Sequence, residues 1–296
     1  MDYRDGETYI LRSFAKINWF LAIEGLRADG YHNILSLMQQ IDLFDEIRIT
    51  LGASDAFSCN LSIPLGEDGL LVRTVSLLRE TFPKLSRLRF AIELHKAIPP
   101  GGGLGGGSSN AATLLRFLPR LAGYNPRLED LVELSLSLGS DIPFFVVNAP
   151  FALVTGRGEC VVPLSPPPHR YLVLLFPSFP ISTVWAYRKW DALGKTGPRE
   201  PLKRFLARPE ASDIEDVVWN DFEEVLFLEY PVLREYRDML LRLGCRRAFV
   251  TGSGSTVVGV VGSRREGEDI VMYLAQRGLQ ALCTETRTES GGEGYA

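Results

Sequence analysis

The chain has 296 residues, 46% of them apolar and 23% charged, a composition that suits a globular protein with room for one large or two ordinary cores. A formal net charge of −4 without a basic cluster argues against a nucleic-acid partner, and no apolar run is long enough for a membrane-spanning helix. Cys59, Cys160, Cys245 and Cys283 form no C-x-x-C pair and there are three histidines, so a nitrogen–sulfur metal site is not expected. Reduced thiols in a cytoplasmic protein are the expectation, and the polar start Met-Asp-Tyr-Arg-Asp-Gly-Glu has no apolar core of a secretory signal.

Thr8 to Ile23 reads as a strand, a break and a second strand. Lys16 and Asn18 lie two apart, so in a strand they share one face between apolar neighbours on the other. Either that face is functional or the strand is a solvated edge. Arg27-Ala28-Asp29-Gly30-Tyr31-His32 carries an Asp-Gly turn signal, with Tyr31 and His32 displayed just after it. Leu35 to Thr50 reads as strand, turn, strand. Leu70 to Phe82 reads as a helix and Arg89 to Leu94 as a strand.

Residues 98–112, Ile-Pro-Pro-Gly-Gly-Gly-Leu-Gly-Gly-Gly-Ser-Ser-Asn-Ala-Ala, are the centre of the chain. Six glycines fall in seven positions, broken only by Leu104. Such a run costs roughly 0.5–1 kcal/mol per glycine relative to alanine, which is reasonable where backbone must approach a ligand closely. Ser108-Ser109-Asn110 are expected to cap a helix from Ala111 to Leu118. Strand, glycine loop and helix start together make an anion cradle, since free N–H groups and the helix dipole both favour negative charge. A side chain at Gly105 or Gly106 is expected to fill the space of a bound phosphate. The loop is not a Walker A loop, for no Lys-Ser/Thr pair closes it. Its flanks are regular and apolar, unlike those of a flexible linker.

Leu128 to Leu138 reads as a helix ending at Gly139-Ser140-Asp141-Ile142-Pro143, where Asp141 is either a capping residue or a lone functional carboxylate. Ser165-Pro-Pro-Pro-His169 marks a boundary between two halves, after which Tyr171 begins a buried strand. A helix follows Thr183, with Val184 and Tyr187 on it. Trp219-Asn220-Asp221-Phe222-Glu223 opens a helical stretch, and Pro231 to Leu243 is a helix by spacing. Thr251-Gly252-Ser253-Gly254-Ser255-Thr256 is a second glycine loop between strands. Ile270 to Gly278 is the last helix, and Thr288 to Ala296 reads as a disordered tail.

Pro99-x-x-x-Gly103-Leu104, followed by Gly-Ser-Ser and Ala-Ala, resembles the phosphate loop of the GHMP kinases. The extra glycines, Asn110, Ala15-Lys16-Ile17-Asn18, Asp29-Gly-Tyr-His32 and Gln40-Ile-Asp-Leu resemble one branch, the 4-diphosphocytidyl-2-C-methyl-D-erythritol kinases. Gly139 to Phe145 resembles that family's catalytic-aspartate segment, Asn220-Asp-x-Glu223 another of its segments, and the second glycine loop its third signature. The resemblance implies a two-domain α+β fold. Residues 1–163 would carry the ATP-binding domain and 164–287 a ferredoxin-like domain, with the active site between them and 288–296 as tail. It implies phosphoryl transfer from ATP to the C2 hydroxyl of the branch's substrate, in a cytoplasmic monomer or weak homodimer with no nucleic-acid or membrane partner. Asp141 would accept or orient the hydroxyl proton, and Lys16 would pair with it and offset charge on the moving group. Pro99, Gly101, Gly102, Gly103, Leu104, Gly105, Gly106, Gly107, Ser108 and Ser109 would hold the ATP phosphates, with Ser108 or Ser109 reaching Mg²⁺ and Lys96 contacting adenine. Gly69 stands where relatives commonly have asparagine. Asn18 would face the substrate hydroxyl; Tyr31, His32, Val184 and Tyr187 the cytosine; Thr183, Gly252 and Ser253 the rest of the substrate. Another GHMP kinase acting on homoserine or mevalonate, or a catalytically silent ligand sensor, are the alternatives.

Overall fold

Two long strands form the spine of a computed structural model that describes residues 6–289 apart from 67, 194 and 195. Strand β1 (Thr8–Leu26) has 19 residues and β2 (His32–Leu51) has 20, and they pair antiparallel from Thr8 against Thr50 to Leu26 against His32. The breaks expected inside both segments are absent. Register shifts after Phe14, Asn18 and Ile23 absorb the irregular spacing as bulges, so each strand bends without ending. Asp45, inside the segment where a turn is expected, is fully buried in β2, where its Oδ1 accepts the N–H groups of Ala97 and Ile98 at 2.9 Å each.

The chain continues through β3 (Ala56–Cys59), α1 (Leu70–Thr81), β4 (Phe90–His95), α2 (Gly106–Leu121), α3 (Leu128–Ser135), α4 (Ile142–Val147), β5 (Phe151–Gly156) and β6 (Cys160–Pro163). The second half runs through β7 (Tyr171–Phe176), α5 (Thr183–Leu193), α6 (Glu200–Ala207), β8 (Trp219–Asn220), α7 (Phe222–Glu229), α8 (Pro231–Arg242), β9 (Arg247–Val250), β10 (Val257–Val261), α9 (Arg264–Ala275) and β11 (Gln280–Glu285). The last helix starts earlier than its apolar spacing suggests, because the Ser263 side chain accepts the Glu266 N–H and caps it. Of the expected tail, residues 290–296 lie outside the described residues.

The first sheet has the order β3-β4-β2-β1-β8, with β5 on the far part of β2 and β6 beyond it. The second has the order β11-β7-β10-β9, every pair antiparallel, with helices between β7 and β9 and between β10 and β11; this is the ferredoxin-like order. Its half of the chain also returns β8 to the first sheet, parallel to β1, with Leu21 opposite Asn220. Alternation on β1 decides which face does what. Ala15, Ile17 and Trp19 pack against Leu172, Leu174, Phe249 and Val258 of the second sheet. Lys16 and Asn18 therefore point the other way, towards α2. That helix is buried nearly all round, as a helix enclosed by β1, α1 and α4 should be.

Candidate active site

Helix α2 begins two residues before its expected caps. Gly105 is the N-cap, with φ +70° in the left-handed region, and the first helical hydrogen bond runs from Ser109 N–H to Gly105 O at 2.9 Å. The amides of residues 106–108 precede that ladder and face the cleft. Glycine is required at 105 for a second reason: a Cβ there would stand 2.8 Å from the Phe145 ring. The expectation that side chains at 105 and 106 would invade phosphate space is corrected. At Gly106 a Cβ would strike Ile98 at 2.8 Å and the Lys96 ammonium at 2.9 Å, which are protein groups behind the loop. At Gly107 it would meet only Leu70 Cδ2, at 3.7 Å, and Gly107 is exposed to the cleft.

The first glycine loop leans on the second. A Cβ on Gly103 would collide with the Thr251 carbonyl, while Thr256 N–H donates to Gly102 O at 3.2 Å. Asn220 Nδ2 donates to the carbonyls of Val250 and Gly252, both at 2.8 Å, and so mounts the second loop on the strand that joins β1. Glu223 Oε1 accepts Val250 N–H at 2.7 Å, and burial pushes the Glu223 carboxyl up to about 7 against the opposing effects of that bond and Arg237.

Lys16 stands where the loops meet. Its ammonium, only 3% exposed, donates to Asn18 Oδ1 at 2.7 Å and Gly103 O at 3.0 Å and lies 3.4 Å from Asp141 Oδ2. Asp141 is the N-cap of α4 by backbone position, yet its side chain makes no capping bond. It lies on the cleft wall beside Tyr187, whose phenol is pushed up by burial first and then by the Asp141 charge.

A cavity of about 510 Å³ runs from this pair along the glycine loop. Pro99, Gly101, Gly102 and Ser108 line it, and so do Asn18, Thr183, Gly252 and Ser253. Thr183 Oγ1 and Ser253 Oγ are 2.9 Å apart across it. Leu104 is buried and acts through its carbonyl, which accepts Lys16 N–H at 3.0 Å. One end of the cavity is apolar, with Ile63, Pro64, Leu70 and Leu94. Gly69 closes that end, and a Cβ there would collide with the Pro64 carbonyl, so this backbone path does not admit an asparagine side chain.

Five expected residues are placed differently. Ser109 is buried and accepts a hydrogen bond from Ser13 Oγ at 2.8 Å; one position round the helix from Ser108, it faces β1 and is withdrawn from any metal in the cleft. Lys96 lines the cavity, but its ammonium is bound by Asp45 and by Asn110 Oδ1 at 3.3 Å. Val184 is 62% exposed and does not enter the cavity, because it follows Thr183 by one residue on α5 while Tyr187, four on, shares its face. Tyr31 is 47% exposed under the Arg157 guanidinium, 4.8 Å from its ring centroid. His32 is buried and stacks on Tyr187, centroids 4.5 Å apart and planes at 16°, too close for a third ring between them. Its Nε2 meets Asp191 Oδ1 at 2.7 Å. Sequence reasoning missed Asp45, Asn220's task and Asp191. Of these, only Asp45 left a signal, as a carboxylate inside an apolar run.

Among the described residues no helix is long and apolar enough to cross a membrane, and no group of three or more His, Cys, Asp or Glu is gathered for a metal. Family profiles match twice: GHMP kinases N terminal domain over residues 69–149 and GHMP kinases C terminal over 199–278. The 4-diphosphocytidyl-2-C-methyl-D-erythritol kinase of Prosthecochloris aestuarii is 35% identical over 268 residues, covering 90% of this chain and 93% of its own. That of Geobacter metallireducens is 36% identical, covering 86% and 90%. A crystal structure of 4-(cytidine 5'-diphospho)-2C-methyl-D-erythritol kinase superposes with a TM-score of 0.77 at 30% identity, covering 96% of this chain and 100% of that one. The homoserine kinase from Cytophaga hutchinsonii, at 15% identity and a TM-score of 0.69, shares the fold.

Proposed function

The chain belongs to the GHMP kinases, in their 4-diphosphocytidyl-2-C-methyl-D-erythritol kinase branch, and on that premise we propose how its cleft works. The enzyme phosphorylates the C2 hydroxyl of 4-diphosphocytidyl-2-C-methyl-D-erythritol, a step towards isoprenoid precursors, with ATP as the donor used by GHMP kinases. Phosphoryl transfer needs positioning and charge neutralisation above covalent help. The observation that carries the mechanism is Lys16 held 3.4 Å from Asp141 beside the opening of α2.

The amides of residues 106–108 and the dipole of the 16-residue helix α2 hold the transferring phosphates. The apolar end of the cavity takes the adenine, with Lys96 at its edge. Lys16 cannot rotate away, since Asn18 and Gly103 hold it, so its charge is already in place when charge develops on the moving group. Asp141 receives or orients the substrate hydroxyl. Tyr187 spans from Asp141 to His32 and so joins the reacting end to the base-reading end, where Tyr31 and His32 meet the cytosine.

Magnesium suits the donors present. It keeps several waters and takes one or two protein oxygens plus phosphate, and among the oxygens on the cleft wall the Asp141 carboxylate and the Ser108 hydroxyl, which lie beside the proposed phosphate cradle, would hold it. When bound it would neutralise phosphate charge. All four cysteines are free thiols, in keeping with a reducing cytoplasm, and the reading is of a monomer or weak homodimer.

The test is ATP-dependent release of ADP with three acceptors in parallel. Turnover with the cytidine diphosphate substrate and none with homoserine or mevalonate is expected. Faster turnover of either small acceptor would move the enzyme to another GHMP branch.

A further inference from the structure

Tyr187 covers one face of the His32 imidazole at 4.5 Å, and Trp190 stands against it edge-on, 6.0 Å between centroids at 90°. Both neighbours come from α5, in the second half of the chain, whereas His32 opens β2 of the first sheet. The ring is thus fixed in orientation by packing between two lobes, with its side chain 6% exposed. What packing leaves undetermined is which ring nitrogen carries the proton. Asp191, also on α5, places Oδ1 2.7 Å from Nε2. A carboxylate can only accept, so Nε2 donates, and in the neutral imidazole Nδ1 is left as an acceptor.

We propose that Asp191 is a specificity-determining positioning residue, which holds His32 as the Nε2–H tautomer so that the Nδ1 lone pair selects a base with an exocyclic amino group, cytosine, over one with a carbonyl there, uracil. The inference rests on the reading that His32 meets the base. Cytosine offers an N–H donor from its 4-amino group, which Nδ1 accepts. Uracil offers a carbonyl oxygen at that position and sets lone pair against lone pair. Discrimination of this kind is large for a small chemical change because the mismatch leaves polar groups unpaired. Asp191 need not touch the substrate. Its own side chain is 42% exposed, so replacing it removes little packing.

The test compares the cytidine substrate with its uridine counterpart in wild type, Asp191→Asn and His32→Ala. An asparagine amide can donate to Nε2 and so permits the opposite tautomer. Asp191→Asn should lower the cytidine-to-uridine ratio of kcat/KM by about tenfold, the worth of one mismatched hydrogen bond, with the KM for ATP unchanged. Nitrogen NMR of the labelled His32 ring should show protonated Nε2 and bare Nδ1 in wild type. An unchanged ratio in Asp191→Asn, or a wild-type ring protonated at Nδ1 or at both nitrogens, overturns the proposal. His32→Ala separates the two levels. If it raises KM for the cytidine substrate while Asp191→Asn leaves the ratio alone, His32 meets the base and the tautomer assignment is wrong. If His32→Ala moves neither base's KM, the reading of His32 itself fails.

Discussion

Gly105 and Gly107 are two residues apart in one loop, and alanine at each should act in opposite directions. At 105 the methyl group must be carried at φ +70° and 2.8 Å from the Phe145 ring. The left-handed conformation costs roughly 1–2 kcal/mol and overpacking another 1–3, so Gly105→Ala should lose about 2–5 kcal/mol of stability. At 107 the backbone is already helical and the methyl meets only Leu70 Cδ2 at 3.7 Å. There alanine should stabilise the fold by about 0.5–1 kcal/mol, the usual gain over glycine in a helix. The same methyl projects beside the amides proposed to hold the phosphates. A penalty of about 1–3 kcal/mol for crowding them raises the KM for ATP roughly 5- to 150-fold. Denaturant unfolding and steady-state kinetics on both variants read the two effects separately. A Gly107→Ala protein with wild-type ATP affinity would refute the cradle, whatever its stability.

Lys16→Met should lower kcat by about 10²–10³-fold, the loss typical of a preorganised charge at developing negative charge, and steady-state rates at saturating substrates check it. Burial raises the Glu223 carboxyl to about 7 from its ordinary value of 4.5, so the native state holds its proton more tightly than the unfolded chain. Its contribution to stability is therefore fully present below about pH 4.5 and is lost as pH rises through 7. Glu223→Gln, which keeps an oxygen for the Val250 N–H, should flatten that loss, with a gain on the order of 1–3 kcal/mol at pH 8 and none at pH 4. Urea unfolding across that range is the check, and a variant curve parallel to wild type would exclude the shift.

Much of this arrangement was legible in the chain, for identifiable reasons. The period of two put Lys16 and Asn18 on one strand face, and in the fold the two side chains are 2.7 Å apart. Glycine density located the loop. Composition could not say where each missing Cβ would have pointed, which is why Gly105 and Gly106 were assigned to the phosphate when protein stands there. Helix phase explains two further misplacements. Val184 and Ser109 each sit one residue from a cleft-lining neighbour, and about 100° of rotation turns them to solvent and to β1 respectively. The long strands were misread because bulges look like breaks in a linear pattern. Asp45 escapes a sequence reading because its partners Ala97, Ile98 and Asn110 lie more than fifty residues away. Asp191 is invisible for the same reason, 159 positions from the histidine it grips.

The Lys16–Asp141 pair as the centre of phosphoryl transfer is tested most directly by a phosphorus NMR reaction with ATP and the cytidine diphosphate substrate, run with wild type and Asp141→Asn. Wild type should yield ADP and one new phosphomonoester on the C2 oxygen in equal amounts. Asp141→Asn should bind nucleotide with affinity close to wild type and form no product on the same timescale. Product from Asp141→Asn at near wild-type rate, or a phosphate on any other oxygen of the substrate, would contradict the account.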